Sequence, residues 1–145
     1  ERLLDINPDL KIKKYDLFIN DENINEIDFE NYDYIVDAID TITSKLLIIK
    51  EAYDKNIKII SAMGAGNRLD PTKFQVMNIE KTQNDPVAKI MRKKLKEMRI
   101  KKLKVACSTE LPIKTGDRTP GSISFVPPVC GMVLASHVIR DILKS

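Results

Sequence analysis

Asp37 and Asp40 stand three residues apart in the run Asp37-Ala38-Ile39-Asp40-Thr41. Two carboxylates so spaced can hold Mg²⁺, which takes one or two protein carboxylates and fills its shell with phosphate oxygens and water. Lys45 follows closely enough to reach the same anion. Each residue also has a plainer use. Asp40 can cap the next helix, the commoner role for such a side chain, and Lys45 can be a solvated lysine. Gly64-Ala65-Gly66 can let a backbone approach a ligand closely, or be only a turn. The Gly-x-Gly-x-x-Gly dinucleotide fingerprint is incomplete there, and no Walker-type phosphate loop occurs in the chain. In Cys107-Ser108-Thr109-Glu110, the glutamate can serve as a buried acid or base and the thiol as a nucleophile. An activated thiolate needs a partner, and the one histidine, His137, is remote in sequence. A small core cysteine is the simpler reading of Cys107, and more so of Cys130 inside an apolar helix.

A second feature is a matter of charge. The net charge of +3 conceals an uneven distribution. Residues 1–88 hold 11 Lys/Arg and 17 Asp/Glu, residues 89–104 hold 9 and 1, and residues 105–145 hold 4 and 3. Arg92, Lys93, Lys94, Lys96, Lys101 and Lys102 thus sit in one compact basic block on an acidic body. Such a block attracts polyanions and makes their binding salt-dependent; the plain alternative is the solvated face of a surface helix. A basic amphipathic helix can also lie on an anionic membrane, but this one lacks Trp and Phe.

These residues need elements to position them. Tyr32–Ile39 reads as an inner parallel strand, rich in β-branched and aromatic residues. A helix over about 44–55 follows, capped by Thr41 or Thr43 and ended by Asn56 in left-handed geometry. Ile57–Ala62 is the next strand, and strand–helix–strand over this length is a βαβ unit. Phe74–Ile79 alternates as a strand, antiparallel to its neighbour. Asp85-Pro86 reads as an N-cap with proline at the first helical position, opening a basic helical segment within 85–104. Leu103–Ser108 and Ser122–Val126 read as strands, 111–121 as a loop, and Val129–Leu143 as the last helix, opened by Pro127-Pro128. Upstream, a helix ends at Ile6-Asn7-Pro8, and Lys11–Tyr15 reads as a short strand. The fold class is α/β, with a mostly parallel sheet and flanking helices in one domain, residues 1–145.

Composition narrows the rest. Hydrophobic residues at 43% and charged residues at 31% are those of a globular protein. No apolar run approaches the roughly 20 residues of a membrane span, and no secretory signal pattern opens the chain. Two cysteines without Cys-x-x-Cys spacing exclude a zinc ribbon and a disulfide framework.

Taken in order, YDYIVDAIDTITSK, KIISAMGAGNRLDPTKFQV, KTQNDPVAKIMRKKLKEMRIKKLKV, CSTE and GSISFVPPVCGMVLASHVIRDIL resemble the ThiF/MoeB/HesA adenylating superfamily. The resemblance covers essentially the whole chain, including ERLLDINPDLKI at its start, and is closest to the tRNA threonylcarbamoyladenosine dehydratase branch. It implies a Rossmann-like sheet that binds ATP and Mg²⁺ and transfers AMP to a carboxylate. In that branch the carboxylate is the threonyl group on adenosine 37 of tRNA, whose activation drives loss of water and ring closure. In generic members it is the C-terminus of a ubiquitin-like sulfur-carrier protein, which is the alternative reading.

Carried over, Asp40 matches the aspartate that handles ATP·Mg²⁺, with Asp37 beside it. Lys45 matches a basic residue in the following helix, Gly64 and Gly66 match the Gly-Ala-Gly turn, and Ser108 and Glu110 match a Ser-x-Glu at a strand end. Generic members have Asn where Thr41 stands, Arg where Lys45 stands, and often zinc-binding Cys-x-x-Cys pairs. The resemblance further implies a homodimer, and the cytosol-like composition leads to the expectation of a cytoplasmic protein. The family's glycine-rich loop, ribose-binding acid and phosphate-reaching Arg and Lys precede the Ile-Asn-Pro helix. The expectation is therefore a C-terminal portion of the adenylating domain without its nucleotide-binding half, inactive by itself, with an exposed apolar sheet edge or face. The basic block suits an RNA substrate better than a small acidic-tailed protein.

Overall fold

The computed structural model describes residues 1–116 and 119–144. Positions 117 and 118 of the predicted loop, and 145, lie outside the described residues. Helix α1 (Arg2–Ile6) stops at Asn7, whose extended backbone is imposed by the proline after it. Strands β1 (Tyr34–Asp37) and β2 (Lys58–Ala62) pair in parallel around helix α2 (Ile42–Asp54). Asn56 takes φ 54° after α2, the left-handed turn expected of it. Strand β3 (Phe74–Asn78) runs antiparallel to β4 (Lys104–Ser108), which pairs in parallel with β2. The four-stranded order is β1-β2-β4-β3.

Helix α3 (Pro86–Glu97) begins as its sequence predicts, with the Asp85 carboxylate accepting from Ala88 N and proline in the first turn. It packs with α2 on one face of the sheet, where Ile48, Ile49, Ala52, Met91 and Leu95 meet Ile35, Ile59, Val105 and Cys107. Helix α4 (Val126–Ile142) covers the other face, placing Val126, Cys130 and Leu134 against Ile60, Phe74 and Ala106. β4 is buried on both faces because helices cover both, which accounts for its unbroken apolar run.

Three expectations fail. Lys11–Tyr15 is irregular, with side chains largely exposed and no neighbouring strand to pair with among the described residues. Ser122–Val126 is not a strand: residues 121–125 are loop and turn, and α4 starts at Val126 because prolines at 127 and 128 fit a first helical turn. β1 is an edge strand here, and Val36 is 48% exposed.

Candidate active site

The carboxyl ends of β1, β2 and β4 converge on one end of the sheet, where open α/β sheets bind ligands. β1 ends at Asp37, which is only 2% exposed. Its carboxylate accepts from Lys45 Nζ at 2.9 Å, from the Ser61 hydroxyl of β2, and from Ile39 N at 3.3 Å. Lys45 is equally buried, and its ammonium also donates to Ile39 O at 2.9 Å. The pair clamps the turn from β1 into α2. The plainer reading of Lys45 as a solvated lysine thus fails, and one expectation is corrected: the carboxylate of Asp37 is engaged with Lys45, Ser61 and Ile39 inside the fold rather than offered to a metal ion.

Asp40 is different. It is exposed at the tip of the clamped turn and has no hydrogen bond or ion pair among the described residues. It does not cap α2; Thr41 holds the cap position, without a side-chain bond. It lines a cleft of about 190 Å³ together with Lys45, Gly64 and Ala65 from the β1 and β2 ends, Val87 from α3, and Cys130 and Gly131 from α4. Among the described residues, no group of three or more His, Cys, Asp or Glu could hold a metal ion. A Mg²⁺ at Asp40 would therefore draw most of its shell from phosphate oxygens and water, the habit of that ion.

The two glycines make room for protein. A Cβ on Gly64 would lie 3.1 Å from the Asp85 carboxylate, and one on Gly66 would collide with Pro120 at 2.6 Å. Behind them is a network that the sequence reading missed. Arg68, 3% exposed, pairs with Asp85 at 3.2 Å and donates to the carbonyls of Asn84, at 3.0 Å, and Glu110. It ties the loop after β2 to the start of α3 and the end of β4. Glu110, expected as an acid or base, spreads its carboxylate over Leu69 N and Asp70 N at 3.0–3.2 Å. Its own N–H donates to the buried Ser108 hydroxyl at 3.2 Å. The visible signal was an arginine and an aspartate each set among turn residues, Arg68 after Gly66-Asn67 and Asp85 before Pro86; their pairing across 17 residues was not legible.

Neither thiol is poised for chemistry. Burial pushes Cys107 up to about 12, with the Asp85 charge adding to it, and burial pushes Cys130 up to about 11. His137 is half-buried beside Asp141, Tyr34 and Lys58 at the amino-terminal end of the sheet, away from Asp40.

The basic block does not sit in the crevice. α3 starts there, at Asp85, and runs to the opposite end of the sheet, a rise of about 18 Å for a helix of this length. Lys93, Lys94 and Lys96 are exposed on it, whereas Arg92 is half-buried with its guanidinium on the Thr82 carbonyl and hydroxyl. Lys101 and Lys102 precede β4 and so lie at the far end.

Comparison with known proteins gives this geometry its setting. The ThiF family model matches residues 1–145. The tRNA threonylcarbamoyladenosine dehydratase of Bacillus subtilis (strain 168) is 37% identical over 99% of this chain and 64% of its own length. Its namesake from Escherichia coli (strain K12) is 34% identical over 66% of this chain and 36% of its own length. The crystal structure of the E. coli enzyme with AMP superposes with a TM-score of 0.89 at 28% identity, covering 99% of this chain and 61% of that one. Its complex with ATP superposes at 0.88. The chain thus spans under two thirds of the length of these relatives. A ThiF model matched from first residue to last, on a sheet with this strand-end crevice, settles the family: the chain belongs to the ThiF family.

Proposed function

We propose that the whole protein is an ATP-dependent tRNA-modifying enzyme that adenylates the carboxylate of threonylcarbamoyladenosine at position 37 and cyclises it with loss of water. The observation that carries this reading is the likeness to the B. subtilis dehydratase over 99% of the chain. The exposed, unpaired carboxylate of Asp40 at the strand-end crevice supports it. The tRNA carboxylate attacks the α-phosphate of ATP, pyrophosphate leaves, and the acyl carbon is then open to ring closure with release of AMP.

This chain's own residues act by positioning and electrostatics. Asp40 would be the residue of this chain to hold Mg²⁺, which when bound would supply positive charge to offset that of the triphosphate. Asp37 and Lys45 fix the turn that presents Asp40. Glu110 and Arg68 fix the loop after β2 and the start of α3, which together wall the crevice. Lys93, Lys94, Lys96, Lys101 and Lys102 contact tRNA phosphates. Arg92 contributes through the Thr82 turn as well as through its charge.

We take the enzyme to be a cytoplasmic homodimer. Exposed Met132, Ile139 and Leu143 on and just beyond α4 support self-association, and no helix among the described residues is long and apolar enough to cross a membrane. ATP–pyrophosphate exchange by the whole protein tests the substrate. Dependence on threonylcarbamoyladenosine-modified tRNA is expected. Dependence on a small carrier ending in Gly-Gly would replace this reading with the sulfur-carrier one. The 145-residue chain alone is expected to give no ATP binding by calorimetry.

A further inference from the structure

At the sheet end opposite Asp40 lies a cleft of about 810 Å³, large enough for a nucleotide. Its apolar wall is Ile79, Leu95 and Ile100, with the Tyr53 ring beside them. Its rim carries Lys96, Arg99 and Lys101, with Arg92 also lining it; among the described residues the one acid lining it is Glu80, whose carboxylate accepts from Lys102 N at 2.8 Å. The charge left facing an occupant is positive.

The walls are built to hold this shape. α3 ends in a Schellman turn, with Ile100 N donating to Leu95 O at 2.9 Å and Arg99 N to Lys96 O at 3.1 Å. Arg99 takes φ 59° at the position where glycine is the usual residue, because left-handed geometry strains a side-chain-bearing residue. Lys102, three residues on, also stands at φ 62°. The Tyr53 hydroxyl donates to Lys101 O, so the ring at the end of α2 is tethered to the turn that carries the cations. An aromatic ring fixed beside a cationic rim is the arrangement that binds single-stranded nucleic acid, the base stacking on the ring and the phosphates on the charges.

We propose that this cleft binds an unpaired nucleotide of RNA, its base against Tyr53 and its flanking phosphates on Lys96, Arg99 and Lys101. The choice of RNA as occupant rests on the tRNA reading above. The cleft is on the order of 20 Å from Asp40, the length of the sheet plus its loops, so it serves as a second foothold on a large substrate and takes no part in the chemistry.

The test uses the whole protein and a 12-residue oligouridine carrying 4-thiouridine, with unmodified tRNA as a parallel ligand. Photocrosslinks are expected on Tyr53 or on the 96–101 segment. Tyr53→Ala is expected to weaken oligouridine binding about 5- to 150-fold, the range for loss of one stacked base, while Tyr53→Phe keeps most of it. Arg99→Gly separates folding from binding, because glycine suits the left-handed turn. Its unfolding midpoint is expected to hold or rise while oligouridine binding falls and the salt slope drops by about one. Binding of tRNA with crosslinks elsewhere and variants unchanged would overturn the cleft assignment alone, leaving the cleft to an acidic protein segment. Oligouridine bound in the cleft without tRNA-dependent activity would uphold the cleft and overturn the function. Failure to bind oligouridine at all would overturn the cleft.

Discussion

The two ends of the sheet use charge in opposite ways. At the crevice end two pairs of charged side chains are buried, Lys45 with Asp37 and Arg68 with Asp85, all almost fully shielded from solvent. At the other end the charges stand in water on a helix and turn, and their pairs are exposed, as in Lys94–Glu97 at 3.6 Å and Lys50–Asp54 at 2.6 Å. Removing one member of a buried pair strands an uncompensated charge, whereas an exposed pair contributes almost nothing to stability. The first kind of charge holds geometry and the second kind is available to a ligand. Asp40, at the crevice end, is a free carboxylate mounted on a braced turn.

The sharpest way to break this contrast is at Lys45. Lys45→Met is expected to destabilise the fold by about 3–5 kcal/mol in urea unfolding, since it leaves Asp37 buried and unpaired. Adding Asp37→Leu should recover much of that loss, because an apolar pair of similar volume replaces an ion pair at little cost. If the double variant is as unstable as the single one, the clamp is more than an ion pair.

A smaller effect is expected at Cys107. With its thiol pushed up to about 12 by burial, it should resist alkylation at pH 8 in the native protein and react readily in denaturant. The folded state holds this proton more tightly than the unfolded state does. Its contribution to stability is therefore intact below about pH 9 and is lost as pH rises toward 12. Prompt native-state labelling would contradict the burial.

The smallest effect on stability is expected on α3. Lys93→Gln and Lys94→Gln together should change unfolding by no more than about 0.5 kcal/mol. The same substitutions should lower the salt slope of tRNA binding by about two, one for each lost phosphate contact. An unchanged slope would mean that the exposed lysines are only a solvated face.

Much of the fold was legible because local signals agreed with the global answer. The β-branched run before Asp37, the Asp85-Pro86 cap and the alternation at Phe74 each named an element that forms. Where the reading failed, pairing decided: Lys11–Tyr15 and Ser122–Val126 have strand-like residues but no neighbouring strand among the described residues. The crevice was legible at Asp40, because a strand followed by a helix must place the intervening turn at the sheet's carboxyl end. The bracing behind it was not. Whether Asp37 faces solvent or Lys45, and whether Glu110 meets a substrate or the amides of Leu69 and Asp70, depends on where distant loops come to rest. Spacing along the chain does not carry that information. The same holds for the protein neighbours of Gly64 and Gly66, which are Asp85 and Pro120, while Gly64 also lines the crevice.

Asp40→Asn in the whole protein tests the central claim most directly, by tRNA-dependent pyrophosphate exchange and urea unfolding on the same preparation. Exchange should fall by about 100-fold or more, the scale for removing one electrostatic contact to a developing charge, while the unfolding midpoint stays where it was. Near-normal exchange would contradict the assignment of Asp40, and lost exchange with a lost fold would return it to the braced network around it.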